Sequence, residues 1–256
     1  MKRLRFPLAV IVALLATVQP ALAADKSMTR EERARAALIN TQLGMTYMRE
    51  GNLQAAREKI EKALQQNPNT AETQMAAGFL YDRLGQDRKA VSHYEQAARL
   101  ADDNPDVLNN VAVYLCRKGD KKRGESYFLK AADSALYRTP EVAYSNAGRC
   151  ARADGRPKDA EQYFRKALAI RPDLPDALYQ LADLQHEMGK NLPARGFLQR
   201  YNAVASASSA SLWLGYRIER ALGDTTQAQD YARRLKADFA TSVETGALLE
   251  AEQSKK

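Results

Sequence analysis

The chain has 256 residues, 45% of them hydrophobic and 27% charged, with a formal net charge of +8, two cysteines and two histidines. The basic charge is scattered over helical faces and forms no stripe with interleaved aromatics, which argues against nucleic-acid binding. The N-terminal apolar run, Phe6 to Val18, is short of the roughly 20 residues needed to cross a bilayer, and no later stretch is long and apolar enough.

The chain opens with Lys2, Arg3 and Arg5, continues through an apolar run from Phe6 to Val18, and reaches Ala21-Leu22-Ala23. A basic start, a short apolar segment and small residues at the A-x-A positions are the pattern of a secretory signal peptide. Residues 1–23 are therefore expected to be that signal, cleaved after Ala23, and the remaining chain carries about +5. A lead-in over 24–36 follows. In it, Thr29-Arg30-Glu31-Glu32 has the spacing of a capping box and predicts a helix start.

From there the sequence repeats. Gly51, Gly85, Gly119, Gly155, Gly189 and Gly223 recur 34, 34, 36, 34 and 34 residues apart. Seven residues before most of these glycines stands a small residue: Gly44, Gly78, Ala112, Gly148 or Ala182. After them come alanines at 56, 90, 160, 194 and 228 and large residues at Ile60, Tyr94, Phe128, Phe164 and Leu198. Small residues let two helices press together, large ones fill the space between repeats, and the glycine ends the first helix of each pair. A period of about 34 with this pattern is that of the tetratricopeptide repeat, TPR. The expected fold is all-α, a TPR superhelical solenoid of about six helix-turn-helix repeats within 37–240. Its helix pairs are expected at 37–66, 71–100, 105–133, 141–170, 175–203 and 209–238, with the first helix of each pair, helix A, on the concave face. A capping helix and tail fill 241–256.

Chemistry is hard to place on this pattern. His93, expected on the surface of a second helix, and His186 fall in different repeats with no nucleophile or ligand cluster beside them. Asp102-Asp103 reads as a helix-terminal turn rather than a catalytic pair. There is no nucleophile elbow, P-loop or dinucleotide loop. No catalytic residue, metal, cofactor or small-molecule substrate is expected, and the chain does not read as an enzyme.

A groove is the natural site. The helix A positions that face it in a TPR stack include Leu38, Met45, Met48, Met75, Phe79 and Val113. Together these make an apolar strip over the first three repeats, suited to an apolar or amphipathic protein segment. The strip could also serve as filler between repeats. Thr41 and Met45 stand where TPR proteins that clamp a C-terminal carboxylate carry Lys and Asn, so that ligand is not expected. Cys116 and Cys150 sit late in helices A of adjacent repeats, at nearly the same height. A disulfide is within reach, the alternative being two small buried hydrophobes.

Several stretches resemble the type IV pilus biogenesis and stability TPR proteins, the PilF/PilW pilotin family. They are Asn109-Asn110-Val111-Ala112-Val113-Tyr114-Leu115-Cys116, Tyr127 to Ala131, Asn146-Ala147-Gly148-Arg149-Cys150, Ala194 to Tyr201 and Ser211-Leu212-Trp213-Leu214-Gly215. The resemblance covers about residues 33–240. It implies a role in assembling or localising the secretin, the ring-shaped outer-membrane channel of the pilus. Members of the family are commonly lipoproteins, and this sequence departs from them: Ala24 follows the expected cleavage site and no cysteine precedes position 116. The expected location is the periplasm, peripheral to the outer membrane, with membrane association only through partners. The expected partner is the secretin or another envelope protein; a general periplasmic scaffold is the alternative.

Overall fold

The structure is a computed structural model that describes residues 28–101 and 104–253. The expected signal and its cleavage site, Asp102-Asp103 and the tail from Ser254 lie outside the described residues. Among those residues every regular element is a helix, and none is long and apolar enough to cross a membrane. The chain divides into two units, residues 1–68 and 69–256.

The first unit holds α1 (Arg30–Arg49) and α2 (Leu53–Gln66). Thr29 caps α1: its hydroxyl accepts from the Glu32 N–H at 3.2 Å, and its own N–H donates to the Glu32 carboxylate at 2.7 Å. Hydrogen bonding from the Thr29 N–H, and then from its hydroxyl, holds the Glu32 carboxyl below its ordinary range. No break separates the expected lead-in from the first repeat. Arg30 to Ala37 are strong helix formers without glycine or proline, so α1 runs through as one 20-residue helix. Ala37, Thr41, Gly44 and Met48 form its buried stripe at three- and four-residue spacing. Against it lie Ala56, Ile60 and Ala63 of α2. A Cβ on Gly44 would sit 2.6 Å from the Ile60 side chain, so only glycine permits this approach. Asn40 ties the open end of the pair by donating to Gln66 at 2.9 Å.

The second unit continues with α3 (Ala71–Arg83), α4 (Asp87–Leu100), α5 (Pro105–Arg117), α6 (Lys121–Ala132), α7 (Pro140–Ala153), α8 (Pro157–Ile170), α9 (Pro175–Glu187), α10 (Asn191–Val204), α11 (Ser209–Leu222), α12 (Thr225–Asp238) and α13 (Val243–Gln253). Proline opens α5, α7, α8 and α9, where its missing N–H is no loss. All six periodic glycines take positive φ, between 68° and 98°, which ends each helix A and turns the chain back at once. Tyr94, Phe128, Phe164 and Leu198 are buried, as are Ala90, Ala160, Ala194 and Ala228. Phe164, Leu168, Leu174, Leu178, Leu181 and Leu184 make one contiguous core from α8 to α9, joining consecutive repeats. At the C-terminal end Leu248 of α13 enters a cluster with Leu212, Tyr216 and Leu235. Lys236 pairs with Glu252 at 3.0 Å across the same contact. A TPR unit cannot bury its apolar stripe alone, and within the second unit each pair covers the next.

Candidate protein-binding surface

The expected apolar strip is split between the two units. In the first, Leu38 is exposed and Met45 half-buried, but Met48 is 1% exposed and belongs to the core. The groove assignment of Met48 is thus corrected. It stands four residues after Gly44 and continues the stripe that α1 presses on α2. Thr41, also a groove position by register, is buried for the same reason. Conversely, Ile39 and Leu43 of α1 are exposed, one turn apart. The reading by repeat register passed over them, although their i,i+4 spacing was a usable signal.

In the second unit Phe79 is 38% and Val113 44% exposed, and Met75 is half-buried. Phe79 and Val113 occupy the same register on α3 and α5, each directly after the small residue of its repeat. The ion pair of Arg117 with Asp82 links those two helices, supported by Lys118 at 3.6 Å from Asp82 and 2.6 Å from Asp87.

Farther along the same unit the helices A are cross-linked by polar and covalent bonds. Cys116 and Cys150 form a disulfide between α5 and α7, with Cα atoms 5.8 Å apart. Beside it the Asn146 amide donates to the Asn109 side-chain carbonyl at 3.1 Å. From α7 the Arg152 guanidinium reaches α9, donating to Gln180 at 3.0 Å, Asp183 at 2.6 Å and Glu187 at 2.6 Å. Burial alone would pull the Arg152 pKa down, but the bonds to Asp183 and Glu187 more than offset it, and the net direction is up. Asp183 also accepts from Arg217 of α11 at 3.0 Å. Arg217 lies over Trp213, Trp213 stacks on Tyr216 at 5.3 Å, and Arg220 lies over Tyr216. Sequence reading missed this network. Its members are ordinary surface residue types, and only their placement on neighbouring helices brings them together.

The two histidines lie in different repeats, each bonded within its own helix pair. His93 is half-buried rather than on the surface, stacked on Tyr81 at 5.2 Å and 2.7 Å from the Gln74 side chain. Burial, helped by Lys89, holds its pKa below the ordinary histidine value. Tyr81 and Gln74 project from the helix against which α4 folds, which the register alone did not show. His186 bonds Asn191 at 2.7 Å. Among the described residues no group of three or more His, Cys, Asp or Glu side chains is placed to hold a metal ion.

Comparison with known proteins fits this geometry. Models of the tetratricopeptide repeat match residues 35–103, 112–175 and 151–213, which makes the chain a TPR protein. It is 27% identical over 213 residues to the type IV pilus assembly protein PilF of Pseudomonas aeruginosa, covering 83% of this chain and 84% of that one. It is similar to the crystal structure of PilW, a widely conserved type IV pilus biogenesis factor, with 31% identity and a TM-score of 0.75 over 83% of this chain and 98% of that one. The structure of Pseudomonas aeruginosa PilF matches with 25% identity and a TM-score of 0.74 over 88% of this chain and 99% of that one. The chain belongs to the family of type IV pilus biogenesis TPR proteins.

Proposed function

We propose that this protein is a non-enzymatic adaptor of type IV pilus biogenesis. It holds the secretin in the periplasm and promotes its assembly or its placement in the outer membrane. The observation that carries the reading is the likeness to PilW at 31% identity over nearly the whole of that chain. The exposed apolar side chains Leu38 in the first unit, with the half-buried Met45, and Phe79 and Val113 in the second, supply contact surface for a partner. The export pattern at 1–23 agrees with a periplasmic place of action, and membrane association then runs through partners.

A deletion strain tests the proposal. Loss of heat-stable secretin multimers and of twitching motility is expected, restored by the full gene. Normal multimers and normal twitching would overturn it.

A further inference from the structure

We propose that the helix A face from α5 to α11 binds an extended acidic segment of a partner protein, with Arg149 as its principal cation. The inference rests on the adaptor reading and names the chemistry of what one part of the adaptor holds.

Charge balance is the first ground. Besides Asp176, which accepts from the Ser145 hydroxyl of α7 at 2.7 Å, the face along α7, α9 and α11 carries Arg149, Arg152, Arg217 and Arg220 against the carboxylates Asp183 and Glu187. Those two are already used: Asp183 accepts from Arg152 and Arg217, and Glu187 from Arg152. Arg149 is exposed and makes no ion pair among the described residues. Among the described residues Arg220 makes no ion pair; it donates to the Tyr216 hydroxyl and lies over that ring. The Arg217 Nε is buried without an acceptor. A guanidinium fork without a carboxylate, next to two spoken-for ones, favours an incoming acid.

Shape is the second ground. Arg149, Arg152, Ala153 and Gln180 line a shallow depression between α7 and α9. Gln180 gives its carbonyl to Arg152 and keeps its NH2 as a donor. Between α5 and α7, the Asn146–Asn109 bond leaves the Asn109 NH2 as a donor and the Asn146 carbonyl as an acceptor. A donor and an acceptor side by side match the C=O and N–H of an extended backbone. A helical ligand has consumed those groups internally. Register agrees as well, because Arg149 occupies the position that Phe79 and Val113 hold in the two preceding repeats.

The test uses the full chain and fluorescently labelled nonapeptides that alternate Asp and Val, N-acetylated and C-amidated so that no terminal carboxylate is present. The control replaces every Asp by Asn. The Asp peptide is expected to bind, the Asn peptide at least about tenfold more weakly, and high salt to weaken the Asp peptide. Arg149→Gln is expected to weaken the Asp peptide roughly tenfold with unchanged circular dichroism, since Arg149 holds nothing else in place. Asn146→Ala should weaken both peptides. Equal affinity for the two peptides, unchanged affinity in Arg149→Gln, or no binding to the native chain would overturn the inference. A deletion strain that loses its secretin multimers while the native chain ignores the Asp peptide would remove this inference and leave the adaptor function standing.

Discussion

Removing the Cys116–Cys150 bridge perturbs a single, well-placed constraint, and its effect can be worked from the structure. The bridge closes a segment with 34 residues of sequence separation. In the chain-entropy account, closing a loop of that length takes roughly 12–13 cal/mol/K from the unfolded ensemble, so its loss costs about 4 kcal/mol near 25 °C. For a chain of this size that is a fall in Tm of roughly 8–16 °C. The folded state should survive at room temperature. Ala112, Phe128 and Ala147 stay buried around the site, and the Asn146–Asn109 bond still joins α5 to α7. Reduction keeps both sulfur atoms, whereas Cys116→Ala with Cys150→Ala also vacates buried volume, so the double variant should lose a further ~1 kcal/mol. Urea unfolding of oxidised, reduced and double-variant protein, followed by circular dichroism, measures all three. The unfolded chain becomes less compact without the bridge, so the denaturant slope should rise as the midpoint falls. An unchanged midpoint and slope on reduction would refute the reasoning. So would an intact mass showing two alkylated thiols without reductant.

Three other outcomes follow from named contacts. Met48→Ala should cost about 2–5 kcal/mol as a buried truncation, while Phe79→Glu should leave helicity intact and weaken capture of the secretin in a pull-down. Equal destabilisation by the two would place Phe79 in the core instead. At Gly148 a Cβ would meet the Phe164 ring at 2.6 Å, so Gly148→Leu should overpack the α7–α8 contact by roughly 1–3 kcal/mol, beyond the ~1 kcal/mol that helix propensity returns; an unchanged urea midpoint would deny that close approach. Burial, together with the hydrogen bond to Glu125, pushes the Tyr163 phenol up to about 12. The unfolded phenol ionises first, near 10, so its contribution to stability is complete below that pH and is lost as pH rises toward about 12. Alkaline absorbance titration of native protein minus Tyr163→Phe should show the raised transition, and a difference signal centred near 10 would contradict it.

The fold was legible because TPR packing writes itself into residue size. Gly44, Gly78 and Gly148 are small because a large side chain from the paired helix occupies the space a Cβ would need. The glycines at the ends of helices A recur because each takes positive φ. These constraints are local, repeat with the period, and leave little choice of residue. The lead-in was misjudged for a different reason. Nothing in Arg30 to Ala37 marks where a separate element would end, since helix propensity is continuous there and only packing distinguishes the first turn from the repeat. Met48 was misplaced because groove positions were counted from an average register, whereas burial in α1 follows the stripe through Ala37, Thr41 and Gly44.

The candidate binding surface was less legible because packing leaves its residues free to vary. In the second unit the position after each small residue is Phe79, then Val113, then Arg149, then Asp183. The backbone site is equivalent in each repeat, yet the chemistry passes from apolar to charged. Packing does not require this change, since Gly78, Ala112, Gly148 and Ala182 beside those residues stay small throughout. The disulfide and the Arg152–Asp183–Arg217 chain fall where the charged half lies, and they fix neighbouring helices A against one another. An extended ligand spanning several repeats needs that fixed spacing, because its own repeat length cannot adjust to moving helices. A scaffold rigid at its packing positions and variable at the facing ones can hold one apolar and one acidic stretch of the same partner. The two stretches are separable by mutation: Phe79→Glu should disturb the first and Arg149→Gln the second.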